Sequence, residues 1–227
     1  MTPQYQVVSA AKKATVLLVD DHPIVRQGLT QLINQEQDLA VCGHADDAKG
    51  ARHAIAAYRP DIVILDISLN GPDGLDVLKD IRMRDEALPV LVLSMHDESL
   101  YADRALRAGA NGYIMKQEAT ERVLQAIRRI RGGEVYVSDR IAKRLLRQVV
   151  SSPAPGKSPM EALTDRELAV FRLIGKGRGT REIADELYIS VKTVETYQAH
   201  IKEKLSLKNA RELVQHAFQW VTREDGP

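Results

Sequence analysis

Several residue types are scarce in this 227-residue sequence, and each scarcity excludes a class of protein. The only cysteine, Cys42, excludes a disulfide within the chain, and its apolar setting LAVCGHA predicts a buried structural thiol. No stretch of about 18 consecutive apolar residues occurs, which excludes a membrane-spanning helix. The first 14 residues include no apolar segment of signal-peptide length, so we expect a cytoplasmic protein with no membrane partner.

An excess of charge of one sign is also missing, since the formal net charge is only +1. This balance excludes a strongly basic protein, but the cations are unevenly distributed. Residues 122–147 contain eight arginines and lysines against two acidic residues. This basic patch is either a solvated helix face or a surface for an anionic partner such as DNA, and the sequence leaves both interpretations open.

Length and apolar content favour two small domains, since 227 residues with 44% apolar content suffice for two cores of roughly 100 residues each. In the first 133 residues, short apolar runs alternate with helical patterns such as Val25, Leu29, Leu32 and Ile33. This alternation predicts an α/β domain whose five parallel strands are covered by helices on both faces. The five predicted strands are TVLLV, LAVCGH, DIVILD, PVLVLS and GYIMK.

A linker separates this domain from a second one. The segment SSPAPGKSP at residues 151–159 is too rich in proline, glycine and serine for a helix or strand. After it, helical periodicity alone continues to residue 221 and predicts a small all-α domain of four helices. The predicted organisation is an N-terminal extension (1–14), a first domain (15–133), a linker helix and flexible linker (134–160), a second domain (161–222) and a tail (223–227).

Polar side chains that suit metal and phosphate chemistry follow four of the five predicted strands. They are Asp20 and Asp21 after the first strand, Asp66 after the third, Ser94 after the fourth and Lys116 after the fifth. Ligands of parallel sheets bind outside the carboxyl ends of the strands, so we expect one common site. Carboxylate oxygens suit Mg²⁺, which would relieve the repulsion between Asp20 and Asp21. Asp66 is the candidate nucleophile toward phosphorus, although a helix N-cap is the alternative for each aspartate alone.

Four segments of this region resemble the receiver domain of bacterial two-component response regulators: LLVDDHP, PDIVILDISLNGPDGLDVL, VLVLSMHD and AGANGYIMK. The resemblance spans residues 15 to about 133 and implies a flavodoxin-like fold. It implies that Asp66 is the phosphoacceptor and that Mg²⁺ is held by Asp20, Asp21, Asp66 and the backbone carbonyl of Ser68. His22, which follows the acidic pair, receives no role from the sequence.

The same resemblance implies how a phosphoryl group would be recognised. Ser94 and Lys116 would bind it, and Tyr113 would be the aromatic switch that turns inward when Ser94 engages the phosphate. The expected consequence is a shift of the face formed by the fourth helix, the fifth strand and the fifth helix.

The second domain shows the spacing of a helix-turn-helix. Thr164 with Glu167 predicts a capping box at its first helix, the next helix is predicted to start at Thr180, and Ser190 is predicted to cap the third. An ordinary helical hairpin is the alternative. The exposed face of the third helix would reach base edges in a major groove through Lys192, Thr193, Glu195, Thr196 and Ala199. Further DNA contacts, chiefly to phosphates, are expected from Arg178, Thr180, Arg181, Lys202, Lys204 and Lys208.

The segments LTDREL, REIADELYISVKTVETY and IKEKL resemble the LuxR-type helix-turn-helix. Together, the two resemblances identify the chain as similar to response regulators of the NarL/FixJ family. They imply a transcription regulator phosphorylated by a sensor histidine kinase, with promoter DNA and RNA polymerase as partners and a homodimer contact through the last helix. No enzymatic turnover is expected beyond self-phosphorylation and self-dephosphorylation at Asp66. The alternatives are a phosphorylation-independent DNA-binding regulator and an aspartate-nucleophile phosphatase.

Overall fold

The structure is a computed structural model that describes residues 13–67, 69, 74–95, 98–150, 159–187 and 189–224. Its residues form two compact units, divided between Val150 and Ser151. The predicted N-terminal extension and flexible linker lie largely outside the described residues, as do residues 225–227 of the predicted tail. The predicted domain boundaries stay predictions, and the helix of the predicted linker region belongs to the N-terminal unit.

The N-terminal unit contains the five predicted strands, and all of them are parallel. They are β1 (Ala14–Val19), β2 (Leu39–Ala45), β3 (Ile62–Asp66), β4 (Val90–Ser94) and β5 (Gly112–Met115). Their order in the sheet is β2-β1-β3-β4-β5, which confirms the α/β fold class. Because the order reverses between β1 and β3, a crevice for a ligand opens at the carboxyl ends of these two strands.

The described residues of the same unit form six α-helices. They are α1 (Pro23–Asn34), α2 (Ala48–Tyr58), α3 (Gly74–Arg84), α4 (Glu98–Arg107), α5 (Ala119–Arg131) and α6 (Asp139–Val150). On one face of the sheet, α1 and α5 bury Ile33 and Ile127 against Val16 and Leu18. Leu17 on the other face is also fully buried, as expected for a strand covered on both sides. Each such side chain contributes about 1.5–3 kcal/mol by leaving water.

The lone cysteine lies at the margin of this core. Cys42 on β2 is half-buried, and its thiol lies 3.5 Å from the carbonyl oxygen of Val16. Burial raises the pKa of this thiol, which disfavours the reactive thiolate. The sequence predicted a buried thiol, whereas the structure places Cys42 at half burial, and its structural role stays a prediction.

The segment that follows α5 covers the free edge of β5. Tyr136 pairs with Gly112 in a parallel bridge, and its amide donates to the Asn111 carbonyl at 2.9 Å. The Tyr113 amide donates in turn to the Tyr136 carbonyl, also at 2.9 Å. The Tyr136 ring is buried, with the Arg129 guanidinium 5.4 Å from its centroid. The segment therefore continues the sheet by one residue and leads into α6. Helix α6 packs against α4, and its Ile141 is fully buried.

Three of the eight cations of the basic patch form ion pairs within the fold. Three arginines of α5 form ion pairs: Arg122 with Glu118, Arg128 with Glu36 and Asp38, and Arg129 with Glu134. In the described part of the chain, Arg140, Lys143 and Arg147 of α6 form no ion pair. The interpretation without a partner therefore fits these three arginines of α5, and both interpretations stay open for Arg131, Arg140, Lys143 and Arg147.

Within its described residues, the C-terminal unit contains the four α-helices that were predicted. They are α7 (Asp165–Gly175), α8 (Thr180–Glu186), α9 (Val191–Lys204) and α10 (Ala210–Glu224). Its core contains Phe171, whose ring lies 5.8 Å from that of Trp220, together with fully buried Ile183 and Val194. The predicted capping box at Thr164 is present, and so is the predicted Ser190 cap. Helices α8 and α9 pack together as a helix-turn-helix.

Gly112→Ala tests the cover over β5, because a Cβ atom at this position would lie 2.7 Å from the Tyr136 carbonyl oxygen. We expect residues 134–138 to detach from the sheet edge and the Tyr113 amide to exchange about tenfold faster, as for a lost hydrogen bond. Hydrogen exchange followed by NMR measures this. Gly28→Ala is the control, since a Cβ there meets nothing within 4 Å. Unchanged exchange of the Tyr113 amide in Gly112→Ala would contradict the expectation.

Candidate functional site

The carboxyl ends of three strands hold the buried polar side chains of the N-terminal unit. Asp20, Asp66 and Ser94 are 3%, 1% and 0% exposed. Among the described residues of this unit, no other polar or charged residue is buried. Burying a carboxylate costs several kcal/mol unless other groups compensate its charge. Three such residues at one edge therefore indicate a site maintained for its chemistry.

Lys116 brings the predicted acidic residues together. Its ammonium lies 2.7 Å from Asp66 Oδ2 and 2.7 Å from Asp20 Oδ2, and its side chain is 5% exposed. Asp21, with a side chain 8% exposed, lies in the same cluster. The sequence predicted that these four residues meet, and the structure confirms that they do. Three carboxylates facing one ammonium leave an excess of negative charge in the cluster.

Two backbone features hold the loops around this cluster. Gly74, the first residue of α3, donates its amide to the Ile67 carbonyl at 3.3 Å. A Cβ at Gly74 would lie 2.3 Å from Ile67 Cα and 2.7 Å from the Asp66 carbonyl oxygen, so only glycine permits this approach. On the other side, the Arg26 guanidinium donates to the Asp20 carbonyl. Ser68, the predicted source of a backbone ligand, lies outside the described residues.

The predicted phosphoryl-binding and switch residues lie on the neighbouring strands. Ser94 ends β4 and is paired in register with Met115, the residue before Lys116. Tyr113 on β5 is 2% exposed, so its side chain is turned inward in this structure. Its amide bonds to Tyr136, which connects the predicted switch to the segment that precedes α6.

His22 is the residue of this site that sequence reasoning missed. Its Nδ1 lies 2.7 Å from Asp21 Oδ1, 3.1 Å from Asp20 Oδ1 and 3.8 Å from Asp66 Oδ2. Its ring is 44% exposed, so burial does not account for its inward orientation. The one signal in the sequence was its position directly after the acidic pair, which does not fix the direction of a side chain.

The donor set of the cluster fits a divalent cation. One ligand atom each from Asp20, Asp21, His22 and Asp66 can be chosen so that all lie within 4.8 Å of one another. Asp20 Oδ2 is buried and, although it lies near Lys116, accepts no hydrogen bond of acceptable geometry. A buried carboxylate oxygen that accepts no hydrogen bond is suited to bind a metal ion, and carboxylate oxygens favour hard cations.

Some of the predicted DNA-contacting side chains on α9 are exposed, whereas others form hydrogen bonds within the protein. Lys192, Glu195, Thr196 and Ala199 are exposed, although the Thr196 hydroxyl donates to the Lys192 carbonyl at 3.0 Å. Thr193 is half-buried, with its hydroxyl 2.7 Å from that of Ser190, so it forms part of the helix cap. Among the flanking positions, Arg178, Arg181 and Lys208 are exposed, and Thr180 and Lys202 are half-buried. Sequence reasoning missed Val191, an apolar side chain 40% exposed at the first position of α9.

Lys204, another predicted phosphate contact, is engaged in the fold. Its ammonium lies 2.7 Å from Oε2 of Glu167, a carboxylate 2% exposed that also accepts the Thr164 amide at 2.7 Å. Burial raises the pKa of Glu167, but the Lys204 ammonium and the Thr164 hydrogen bonds outweigh it and lower the pKa below its usual value. This pair joins α9 to the start of α7.

Comparisons with known proteins agree with this arrangement. Residues 16–128 match the model of the response regulator receiver domain, and residues 161–217 match that of the bacterial regulatory proteins of the luxR family. Oxygen regulatory protein NreC of Staphylococcus aureus is 37% identical over 209 residues, which are 90% of this chain and 96% of that protein. The chain belongs to the NarL/FixJ family of two-component response regulators.

Solved structures of response regulators share its fold. A LuxR-family response regulator from Aurantimonas sp. SI85-9A1 has 38% sequence identity and a TM-score of 0.57, over 62% of this chain and 100% of that one. The response regulator RcsB, solved as a DNA complex, has 25% identity and a TM-score of 0.55, over 93% and 100% of the two chains. The present response regulator is a DNA-binding two-component regulator of transcription. None of its described helices is long and apolar enough to span a membrane.

Glu167→Gln is expected to lower the free energy of unfolding of the C-terminal unit by about 2 kcal/mol at pH 7, because a charge-assisted bond is lost. Since the pKa of Glu167 is lowered on folding, its stabilisation is complete above about pH 4.3, the usual glutamate value, and is lost as the pH falls through the lowered value. The effect of the substitution should therefore disappear in acid.

Urea unfolding followed by the fluorescence of Trp220, the only tryptophan, reports on this unit. Glu203→Gln on the exposed side of α9 is the matched control and should leave the urea midpoint unchanged. Equal midpoints for Glu167→Gln and the wild type at pH 7 would show that the Lys204 pair adds no stability.

Proposed function

We propose that Asp66 accepts a phosphoryl group from a sensor histidine kinase, and that this reaction controls promoter binding by the C-terminal unit. The observation that carries the proposal is the Lys116 ammonium 2.7 Å from Asp66 Oδ2, in a cluster that also contains Asp20 and Asp21. A buried carboxylate beside a fixed ammonium can attack phosphorus while the positive charge neutralises the phosphoryl oxygens.

In this proposal each residue of the cluster has one task. An oxygen of Asp66 bonds to phosphorus as the bond from phosphorus to the kinase histidine breaks, and an acyl phosphate results. Lys116 then binds a phosphoryl oxygen, and the Ser94 hydroxyl binds another. Asp20 and Asp21, with Asp66 and the Ser68 carbonyl, would hold Mg²⁺, which supplies positive charge to the phosphoryl oxygens when bound. No turnover is proposed beyond self-phosphorylation of Asp66, which consumes a phosphoryl donor, and self-dephosphorylation, in which water takes the phosphoryl group.

The same proposal includes the route by which the phosphoryl group is sensed. Engagement of the phosphoryl group by Ser94 would make Ser94 and Tyr113 rearrange toward it, and this rearrangement would shift the face of α4, β5 and α5. The amide of Tyr113 bonds to Tyr136, and α6 packs on α4. A displacement of this face would therefore reach α6, the last helix before the predicted linker.

The proposed DNA surface is the exposed side of α9 and its flanks. The existence of an RcsB complex with DNA supports a similar use of the C-terminal unit here. The proposed base contacts are Lys192, Thr193, Glu195, Thr196 and Ala199. The proposed phosphate contacts are Thr180, Arg181, Lys202, Lys204 and Lys208, of which Lys204 would have to leave Glu167.

We further propose that the active form is a homodimer through α10. Val214 and Phe218 are 52% and 61% exposed and lie one turn apart on that helix. Such an apolar pair on the surface is suited to an identical patch on a second copy. A dimer at a promoter would have RNA polymerase as its next partner.

Asp66→Asn should abolish phosphorylation, because an amide oxygen is too weak a nucleophile to form the acyl phosphate. Purified protein is incubated with acetyl phosphate and Mg²⁺ and separated on Phos-tag gels. We expect a shifted band for the wild type and none for Asp66→Asn. Asp76→Asn, on the exposed first turn of α3, is the control and should shift like the wild type. Equal shifted bands for Asp66→Asn and the wild type would refute Asp66 as the acceptor.

Lys192→Ala should weaken binding to a promoter fragment about tenfold, since a side chain that contacts a base edge contributes about 1–3 kcal/mol. The fragment is obtained by genomic footprinting with the phosphorylated protein, and affinity is measured by gel shift at fixed salt. Thr196→Ala should also weaken binding, by a smaller factor. Lys49→Ala, an exposed lysine of α2, is the control for loss of one charge. Undiminished binding by Lys192→Ala would refute this surface of α9.

A further inference from the structure

We infer that His22 is a fourth protein ligand at the acidic cluster, which gives the site a preference for Mn²⁺ and Zn²⁺ over Mg²⁺. The inference rests on the metal site of the proposed function, whose ligands are all oxygen atoms. It adds one nitrogen ligand, His22, to that site. The observation is the direction of the imidazole: Nδ1 faces Asp20, Asp21 and Asp66 at 3.1, 2.7 and 3.8 Å.

These separations fit atoms that share one metal ion, and the 3.1 Å separation of Nδ1 from Asp20 Oδ1 also fits a hydrogen bond. In an octahedral site with bonds of about 2.1 Å, neighbouring ligand atoms are about 3.0 Å apart and opposite ones about 4.2 Å. The distances from Nδ1 to the oxygens of Asp21 and Asp20 match neighbouring ligands, and the distance to Asp66 lies between the two values. Small rotations of the side chains would therefore bring all four donors to one ion.

The backbone holds His22 in this direction. Its amide donates to Asp20 Oδ1 at 2.8 Å, and its carbonyl accepts the Arg26 amide at 3.1 Å at the start of α1. The next residue, Pro23, fixes the first turn of that helix. The ring is 44% exposed, yet its Nδ1 faces three carboxylates. It lies within hydrogen-bond distance of Asp20 Oδ1 and 3.5 Å from the Lys116 ammonium.

The chemistry of imidazole decides which ions benefit. Imidazole nitrogen suits Mn²⁺ less than it suits Zn²⁺, but it suits both better than Mg²⁺, which prefers oxygen ligands and retains water. His22 should therefore increase the affinity for Zn²⁺ and Mn²⁺ and leave that for Mg²⁺ almost unchanged. A Zn²⁺ ion with four protein ligands would form a closed site that includes Asp66 itself, so Zn²⁺ should oppose phosphorylation.

The deciding experiment adds Mn²⁺ to the full-length protein and records the electron spin-echo envelope modulation of the bound ion. A coordinated imidazole gives a nitrogen modulation that a merely adjacent one does not. We expect the modulation in the wild type and in His53→Gln, an exposed histidine of α2 that serves as the control. It should be absent from His22→Gln.

Calorimetric titration supplies the second readout. We expect His22→Gln to bind Zn²⁺ and Mn²⁺ about tenfold more weakly than the wild type, a loss of the size found when the immediate surroundings of a metal are altered. Its affinity for Mg²⁺ should stay within about twofold, which also shows that the variant is folded.

Three results would overturn the inference in distinguishable ways. Bound Mn²⁺ without nitrogen modulation in the wild type would make His22 only a hydrogen-bond partner of Asp20 Oδ1, and the oxygen site of the proposed function would stand. Modulation that persists in His22→Gln would assign the nitrogen to another histidine. Failure of the wild type to bind Mg²⁺ or Mn²⁺ at all would remove the proposed metal site together with this inference.

Discussion

The N-terminal unit depends on the attraction between the Lys116 ammonium and the carboxylates of Asp20 and Asp66. Each of these groups would cost several kcal/mol to bury alone, and each follows or ends a different strand. Their compensation therefore requires that β1, β3 and β5 end at one edge of the sheet. Since Asp21 joins the same cluster, negative charge exceeds positive charge there, and the fold maintains a crevice that attracts cations.

Strand β5 connects this charged edge to the far side of the unit. It ends next to Lys116, and at Tyr113 it bonds to Tyr136, which covers the edge of the sheet. Helix α6 follows directly and packs on α4. A strand that ends at the charged cluster and bonds to Tyr136, in the segment before α6, is a physical means of coupling the two.

The C-terminal unit uses a buried carboxylate differently. Glu167 is as buried as Asp20, but its carboxylate charge is compensated within the C-terminal unit. The Lys204 ammonium of α9 and the Thr164 amide at the start of α7 both donate to it. Full compensation makes Glu167 a structural residue, whereas the under-compensated cluster of the N-terminal unit retains capacity for a ligand. The degree of compensation, more than burial itself, distinguishes the two sites.

Local signals in the sequence were sufficient for the strands, the helix caps and the residues at the strand ends. Apolar runs indicate buried strands, and polar residues directly after them must meet where parallel strands end, so Asp20, Asp66 and Lys116 could be predicted to converge. Tertiary structure alone decided the direction of His22, the cover of β5 by Tyr136, and the engagement of Lys204 with Glu167, 37 residues earlier. The physical reason is that periodicity encodes which face of an element is buried, whereas these contacts depend on side chains or backbone groups from separate segments that meet only after packing.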